Sequence, residues 1–246
     1  MSWQKNYKPG KEHMFPDELI HIPNVEKQYH ESWVKGRNLL NFPHPYRMLL
    51  LGGVNSGKTN IIKNIVLRAN PKFVEIFLYH CGGSYTKEYE DIEFTCLEEI
   101  PDPDDERFDP KQKKLLIIED KEFKFMAKDE LKRLDRAFGY VSTHRNLSII
   151  CTGQDFFNLP APVRRMSNIF VIWKTKDLDT LKTIGRRLGF TKDELVDLIR
   201  SHLKKPRDSL WLDGTFETPG KVRVNGFQVL QGKETKQQEE EKINGK

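Results

Sequence analysis

The residues best suited to chemistry are Gly52, Gly53, Val54, Asn55, Ser56, Gly57, Lys58, Thr59 and Asn60, which directly follow the apolar run Leu49-Leu50-Leu51. From Gly52 to Thr59 they fit G-x-x-x-x-G-K-[ST], a loop that wraps a phosphate chain in backbone N–H groups. Gly52 and Gly57 allow main-chain conformations that a Cβ forbids and bring donors close to the anion. Lys58 supplies a cation for the β- and γ-phosphates, and Thr59 supplies a hydroxyl for Mg²⁺. A helix starting near Lys58 points its positive end at the same place. A nucleotide with Mg²⁺ is therefore the expected ligand.

A second cluster lies some 60 residues downstream. Leu115-Leu116-Ile117-Ile118 is an apolar strand that ends in two carboxylates, Glu119 and Asp120. In an open parallel sheet ligands gather at the carboxyl ends of strands, so these acids should face the phosphate loop. One acid suits Mg²⁺ and the other suits polarising an attacking water. Gln154, at the end of the next apolar strand Leu147–Thr152, is placed to orient water or sense the γ-phosphate. Arg164 and Arg165, with Arg145 as rival, are candidates for a cation delivered to a neighbouring subunit's γ-phosphate.

The elements that must position these groups follow from periodicity. Tyr46–Leu51 reads as a buried strand, and Ile61, Ile62, Ile65 and Val66 give the next segment a helical apolar face that Asn70-Pro71 stops. Further strands are expected at Phe73–His80 and Ile169–Trp173, with late strands at Ser209–Leu212 and Val222–Val224. Helices are expected over Lys128–Phe138, over Leu178–Leu188 before Gly189, and after the capping box Thr191-Lys192-Asp193-Glu194. The acidic loop Asp102–Pro110 lacks the alternating ligands of a Ca²⁺ loop and reads as solvated. Phe42-Pro43-His44-Pro45-Tyr46, directly before the first strand, reads as packing, with the border of an adenine pocket as the alternative.

The chain has 246 residues, 37% hydrophobic and 31% charged, which suits one α/β domain with additions. Residues 1–45, broken by prolines, read as an extended arm, 46–230 as the catalytic domain, and 231–246 as a disordered charged tail. No apolar run is long enough to span a bilayer, and Met1-Ser2-Trp3-Gln4-Lys5 opens no leader, so no membrane partner and no secretion are expected. Cys81, Cys96 and Cys151 have no paired spacing and read as buried free thiols in a reducing compartment. The net charge is only +5, but residues 164–223 carry fourteen basic residues against eight acids, a bias compatible with a polyanion.

Taken in order, these pieces resemble the FtsK/HerA branch of P-loop ATPases, and most closely the small DNA-packaging ATPases of poxviruses, other large DNA viruses, virophages and Polinton elements. The resemblance spans roughly Tyr46 to Leu212. It is carried by Gly52–Thr59, by Leu115–Asp120, and by the passage from Thr143-His144-Arg145-Asn146 through Gln154 to Leu159-Pro160 and Arg164-Arg165. It implies an additional-strand, RecA-like P-loop NTPase fold, with a mostly parallel central sheet flanked by helices. It also implies a homo-oligomeric ring that hydrolyses ATP to drive double-stranded DNA into a preformed capsid, through a capsid or vertex protein. The implied location is the host cytoplasm or a viral factory, with virion association. The wider branch places Asp before Glu after the second strand, whereas this chain has Glu119 before Asp120; by position Glu119 takes Mg²⁺ and Asp120 the water. The alternatives are a nucleotide-dependent scaffold and another P-loop enzyme. A GTPase lacks its Asn-Lys-x-Asp motif here, and a nucleotide kinase its Arg-rich lid.

Overall fold

A computed structural model describes residues 40, 42–80, 89, 91–119, 121–215 and 221–230. Its centre is a nine-stranded sheet built from β1 (Arg47–Leu51), β2 (Glu75–His80), β3 (Thr95–Leu97), β4 (Lys114–Glu119), β5 (Leu147–Gly153), β6 (Ile169–Trp173), β7 (Ser209–Asp213), β8 (Val222–Val224) and β9 (Gln228–Val229). The order across the sheet is β3-β2-β4-β5-β1-β6-β7-β8-β9. The first six strands in that order are parallel, and β7, β8 and β9 are antiparallel additions at one edge.

The central strands are apolar almost throughout because both faces of the sheet are covered. Every residue of β4 and β6 is buried. On one face Leu49 and Leu51 pack with Leu134, Val163, Ile184 and Ile199. These come from helices α2 (Lys128–Arg136), α4 (Ala161–Met166), α5 (Leu178–Leu188) and α6 (Lys192–His202), with the short α3 (Ser142–His144) between α2 and α4. On the other face Met48 and Leu50 pack with Ile62 and Ile65 of α1 (Lys58–Arg68) and with Leu40, Phe42 and Tyr46. The alternation 48/50 against 49/51 is the period-2 pattern of a strand with two covered faces.

Caps stop the helices where the sequence says they should. Gly189 ends α5 at φ 80°, and Thr191 and Glu194 exchange the reciprocal bonds of a capping box before α6. α2 continues into a π turn at Ala137–Val141, where the carbonyl of Phe138 accepts from Arg47 Nη1 at 2.9 Å. Burial lowers the Arg47 pKa from its ordinary value.

Several expectations change. Strand β2 begins at Glu75, because Phe73 turns aside to meet the His44 ring edge-on at 5.9 Å and Val74 is exposed. The edge strands β3 and β9, three and two residues long, carry too little pattern to be seen in advance. The Asp102–Pro110 loop is not merely solvated: Asp105 caps a 3₁₀ turn at Glu106–Phe108 and Phe108 is fully buried. Cys151 is buried, which pushes its thiol pKa up, but Cys96 is exposed on β3, against the expectation of buried thiols. Arg223, counted in the basic bias, is wholly buried and pairs with the equally buried Asp213 at 2.7 Å. One base and one acid thus leave the surface together, and the excess on the remainder of 164–223 stands. Phe42 lies stacked 6.2 Å from Trp211, and His44 bonds Ser148 and the carbonyl of Asn146, so this stretch is packing. The rest of the expected arm, Asp120, Cys81 and the expected tail lie outside the described residues. No helix among the described residues is long and apolar enough to cross a membrane.

Candidate functional site

Strand β1 runs directly into the glycine loop, and register sets its neighbours. Leu51 pairs with Gly153 on β5 and with Ile172 on β6, so the loop leaves the sheet between Gln154 and Trp173. Gly52 fits here only without a side chain: a Cβ would lie 2.6 Å from Ser56 Oγ and 2.7 Å from the Trp173 ring. Asn55 at φ 60° and Gly57 at φ 101° turn the chain into α1. No side chain caps α1 and no acid sits in its first turn. Its leading N–H groups therefore remain available to an anion. Lys58 is buried against the loop, and its Nζ donates to the carbonyls of Gly52 and Gly53 at 2.9 Å each.

Glu119, at the end of β4, is 3% exposed and two strands away from β1. The Thr59 hydroxyl donates to Glu119 Oε1 at 2.7 Å, and the Tyr89 hydroxyl donates to Glu119 Oε2. Both carboxylate oxygens thus have a protein donor, which fixes the plane of the group. A hydroxyl and a carboxylate at this spacing are hard oxygen donors of the kind Mg²⁺ takes together with phosphate and water. No group of three or more His, Cys, Asp or Glu suited to a metal occurs among the described residues, so the pair is not part of an all-protein cage.

The loop, the head of α1, Glu119 and Gln154 line one cleft of about 670 Å³. Gln154 is exposed and forms no hydrogen bond with the described residues. It also borders a second cleft of about 480 Å³ with Lys121 and Lys124. The structure thus brings together Gly52 to Asn60, Glu119 and Gln154 from three separate stretches of chain. It does not bring the arginines to this cleft. Arg145 lies at the opposite end of β5, roughly 20 Å away by strand rise, and meets Asp104 at 3.5 Å. Arg164 lies over the Phe156 and Phe157 rings at 5.5 and 5.6 Å, and its Nε donates to the Leu159 carbonyl. Arg165 is exposed on α4. Arg187 of α5 donates to the carbonyls of Arg164 and Arg165, tying α4 to α5.

Two tertiary partners escaped sequence reasoning. Tyr89 sits between strands in a stretch without periodicity, so nothing local marks it as facing Glu119. Trp173 was visible only as the last apolar residue of β6. The pairing of β6 with β1 is what places its ring under Gly52. Arg207, Ser209 and Asn225 form the far wall of the cleft.

A glycine loop on β1, a helix opening at Lys58, and β5 inserted between β1 and the acid-bearing β4 decide the architecture. The fold is that of a P-loop NTPase. Among solved structures, the chain is similar to the genome packaging NTPase B204 from Sulfolobus turreted icosahedral virus 2 in complex with ATP-gammaS. That match has a TM-score of 0.51 and 17% identity, over 76% of this chain and 98% of that one. The same NTPase in complex with AMPPCP matches with a TM-score of 0.52 and 17% identity, over 73% and 96% of the two chains. At this identity the likeness speaks for the fold. No family model and no curated protein matches the sequence.

Proposed function

We propose that the protein is an ATP-hydrolysing motor of the FtsK/HerA type that works as a homo-oligomeric ring and drives double-stranded DNA into a preformed capsid. The observation that carries the reading is that one cleft joins the glycine loop, the Thr59–Glu119 pair and Gln154, the last delivered by the strand between β1 and β4. The fold likeness to a viral packaging NTPase solved with ATP analogues supports it.

In this reading the N–H groups of residues 53–59 hold the β- and γ-phosphates, and Lys58 leaves the Gly52 and Gly53 carbonyls to meet them. Thr59 and Glu119 are the residues that would hold Mg²⁺, which when bound neutralises charge on the β- and γ-phosphate oxygens. Gln154 orients the water that attacks the γ-phosphorus in line with the departing ADP oxygen. Asp120 is assigned to that water as well. Tyr89 keeps the Glu119 carboxylate turned toward Thr59. The arginine completing the site comes from the next subunit, from Arg164 or Arg165, with Arg145 as the rival. DNA contact is through the phosphate backbone and is salt-dependent.

Turnover of ATP by the purified protein with and without double-stranded DNA tests the reading. Hydrolysis stimulated by DNA and abolished by Lys58→Ala is expected. An assembled ring that binds ATP but never turns it over, with or without DNA, would refute the motor.

A further inference from the structure

The cleft has two unlike ends. Glu119 and Gln154, the groups suited to the γ-phosphate, stand on β4 and at the end of β5, on one side of the glycine loop. On the other side the cleft continues over β6, β7 and β8, where Trp173 faces Ser209 in the pairing of β6 with β7. A triphosphate whose terminal group lies toward Gln154 must direct its nucleoside toward this second side.

The second side is a prebuilt wall. Asn225, held at φ 52°, accepts from the Ser209 N–H through Oδ1 at 2.9 Å and donates from Nδ2 to Asp208 at 2.9 Å. Ser209 Oγ accepts from the Trp211 indole at 2.9 Å. Asp208 also accepts the backbone N–H groups of Lys204 and Lys205 at 2.9 and 2.7 Å. The turn before β7 is therefore pinned at both ends. It presents Arg207, which is exposed, lines the cleft and makes no hydrogen bond or ion pair with the described residues.

We propose that the β7–β8 wall holds the base end of the nucleotide and that Arg207 contacts the face of the base; this rests on the nucleotide-binding reading above. A guanidinium is planar and weakly hydrated, so it stacks on an aromatic ring as readily as it pairs with an anion. The amide and hydroxyl groups of Asn225 and Ser209 are already engaged with one another and with Asp208 and Trp211. These bonds hold the wall rigid and take up much of its hydrogen-bonding capacity, so the contact assigned to Arg207 is with the face of the ring.

Calorimetric titration of the full chain with ATP, GTP and inorganic tripolyphosphate separates the ends of the cleft. Arg207→Ala should weaken ATP and GTP alike by about tenfold, the size of one good stacking contact, and leave tripolyphosphate unchanged. Lys58→Ala should weaken all three. Unchanged ATP affinity in Arg207→Ala, an equal loss for tripolyphosphate, or a loss confined to one base would each overturn the assignment while leaving the nucleotide reading intact. A wild-type chain that binds none of the three would overturn both. Arg207 is exposed, so the variant should melt with the wild type.

Discussion

The Thr59 hydroxyl stands 2.7 Å from Glu119 Oε1, bridging the head of α1 and the end of β4, two elements separated by 60 residues of chain. Tyr89 closes the other oxygen of the same carboxylate. If Thr59 and Glu119 share a divalent ion, Glu119→Gln should retain ATP binding and lose turnover by on the order of 100-fold. Tyr89→Phe removes only the phenol hydroxyl, so it should lower turnover by about tenfold. It should also raise the Mg²⁺ concentration needed for half-maximal rate, with metal-free ATP affinity unchanged. A Tyr89→Phe enzyme with wild-type Mg²⁺ dependence would remove Tyr89 from the site.

Two adjacent glycines should behave oppositely. A Cβ on Gly52 meets the Trp173 ring at 2.7 Å, whereas a Cβ on Gly53 meets nothing within 4 Å. Gly52→Ala should cost about 1–3 kcal/mol of stability, as overpacking does, and displace the loop. Gly53→Ala should leave the melting temperature nearly unchanged. Thermal melts of the two variants decide this, and equal behaviour would contradict the packing of Trp173 beneath the loop.

Arg223 and Asp213 form an ion pair with neither side chain exposed, and the guanidinium lies 5.4 Å from the Phe42 ring and 5.7 Å from Trp211. Burial lowers the Arg223 pKa, and Asp213 opposes that shift. Removing one partner strands the other charge, so Arg223→Met should destabilise by about 3–5 kcal/mol. The double variant Arg223→Met with Asp213→Leu should recover much of the loss. Urea titrations measure both. A single variant as stable as the wild type would show that the pair contributes nothing.

Asp105 contributes to acid stability, beside Asp129, Asp177 and Asp208, whose carboxyls are likewise held below the usual range by hydrogen bonds. The Arg107 guanidinium, hydrogen-bonded to Asp105, lowers that carboxyl to about 2. Because the folded value is depressed, its contribution is present above the unfolded value near 4 and is lost as pH falls from there toward 2. The Asp105 side chain is 24% exposed and that of Arg107 45%, so solvent screening keeps the effect small. Melting temperatures of wild type and Asp105→Asn should differ at pH 6 and converge near pH 2. A difference that stays constant with pH would exclude the ion pair as its source.

Much of the architecture was legible in advance. Leu49-Leu50-Leu51, Leu115–Ile118 and Ile169–Trp173 are strands because a sheet covered on both faces demands unbroken apolar runs. α5 and α6 end and begin at Gly189 and Thr191 because backbone conformation and capping are local. Short-range chemistry likewise marked Gly52–Thr59, since a loop that wraps phosphate must carry glycine, lysine and a hydroxyl at fixed spacing. What failed was short or nonlocal: β3 and β9 are too brief for a pattern, and the burial of Phe108 and Arg223 depends on partners far along the chain.

The amino-acid order by itself determined the parts of the candidate site, because each part is specified by spacing within a few residues. Only the tertiary structure decided how they meet. Strand pairing put β5 between β1 and β4 and so aimed Gln154 at the loop. It also brought Tyr89 onto Glu119, placed Trp173 under Gly52, and set Arg207, just before β7, on the side of the cleft away from the acid. These are contacts across the sheet, and neighbours across a sheet are chosen by register and burial, which no local stretch of sequence encodes.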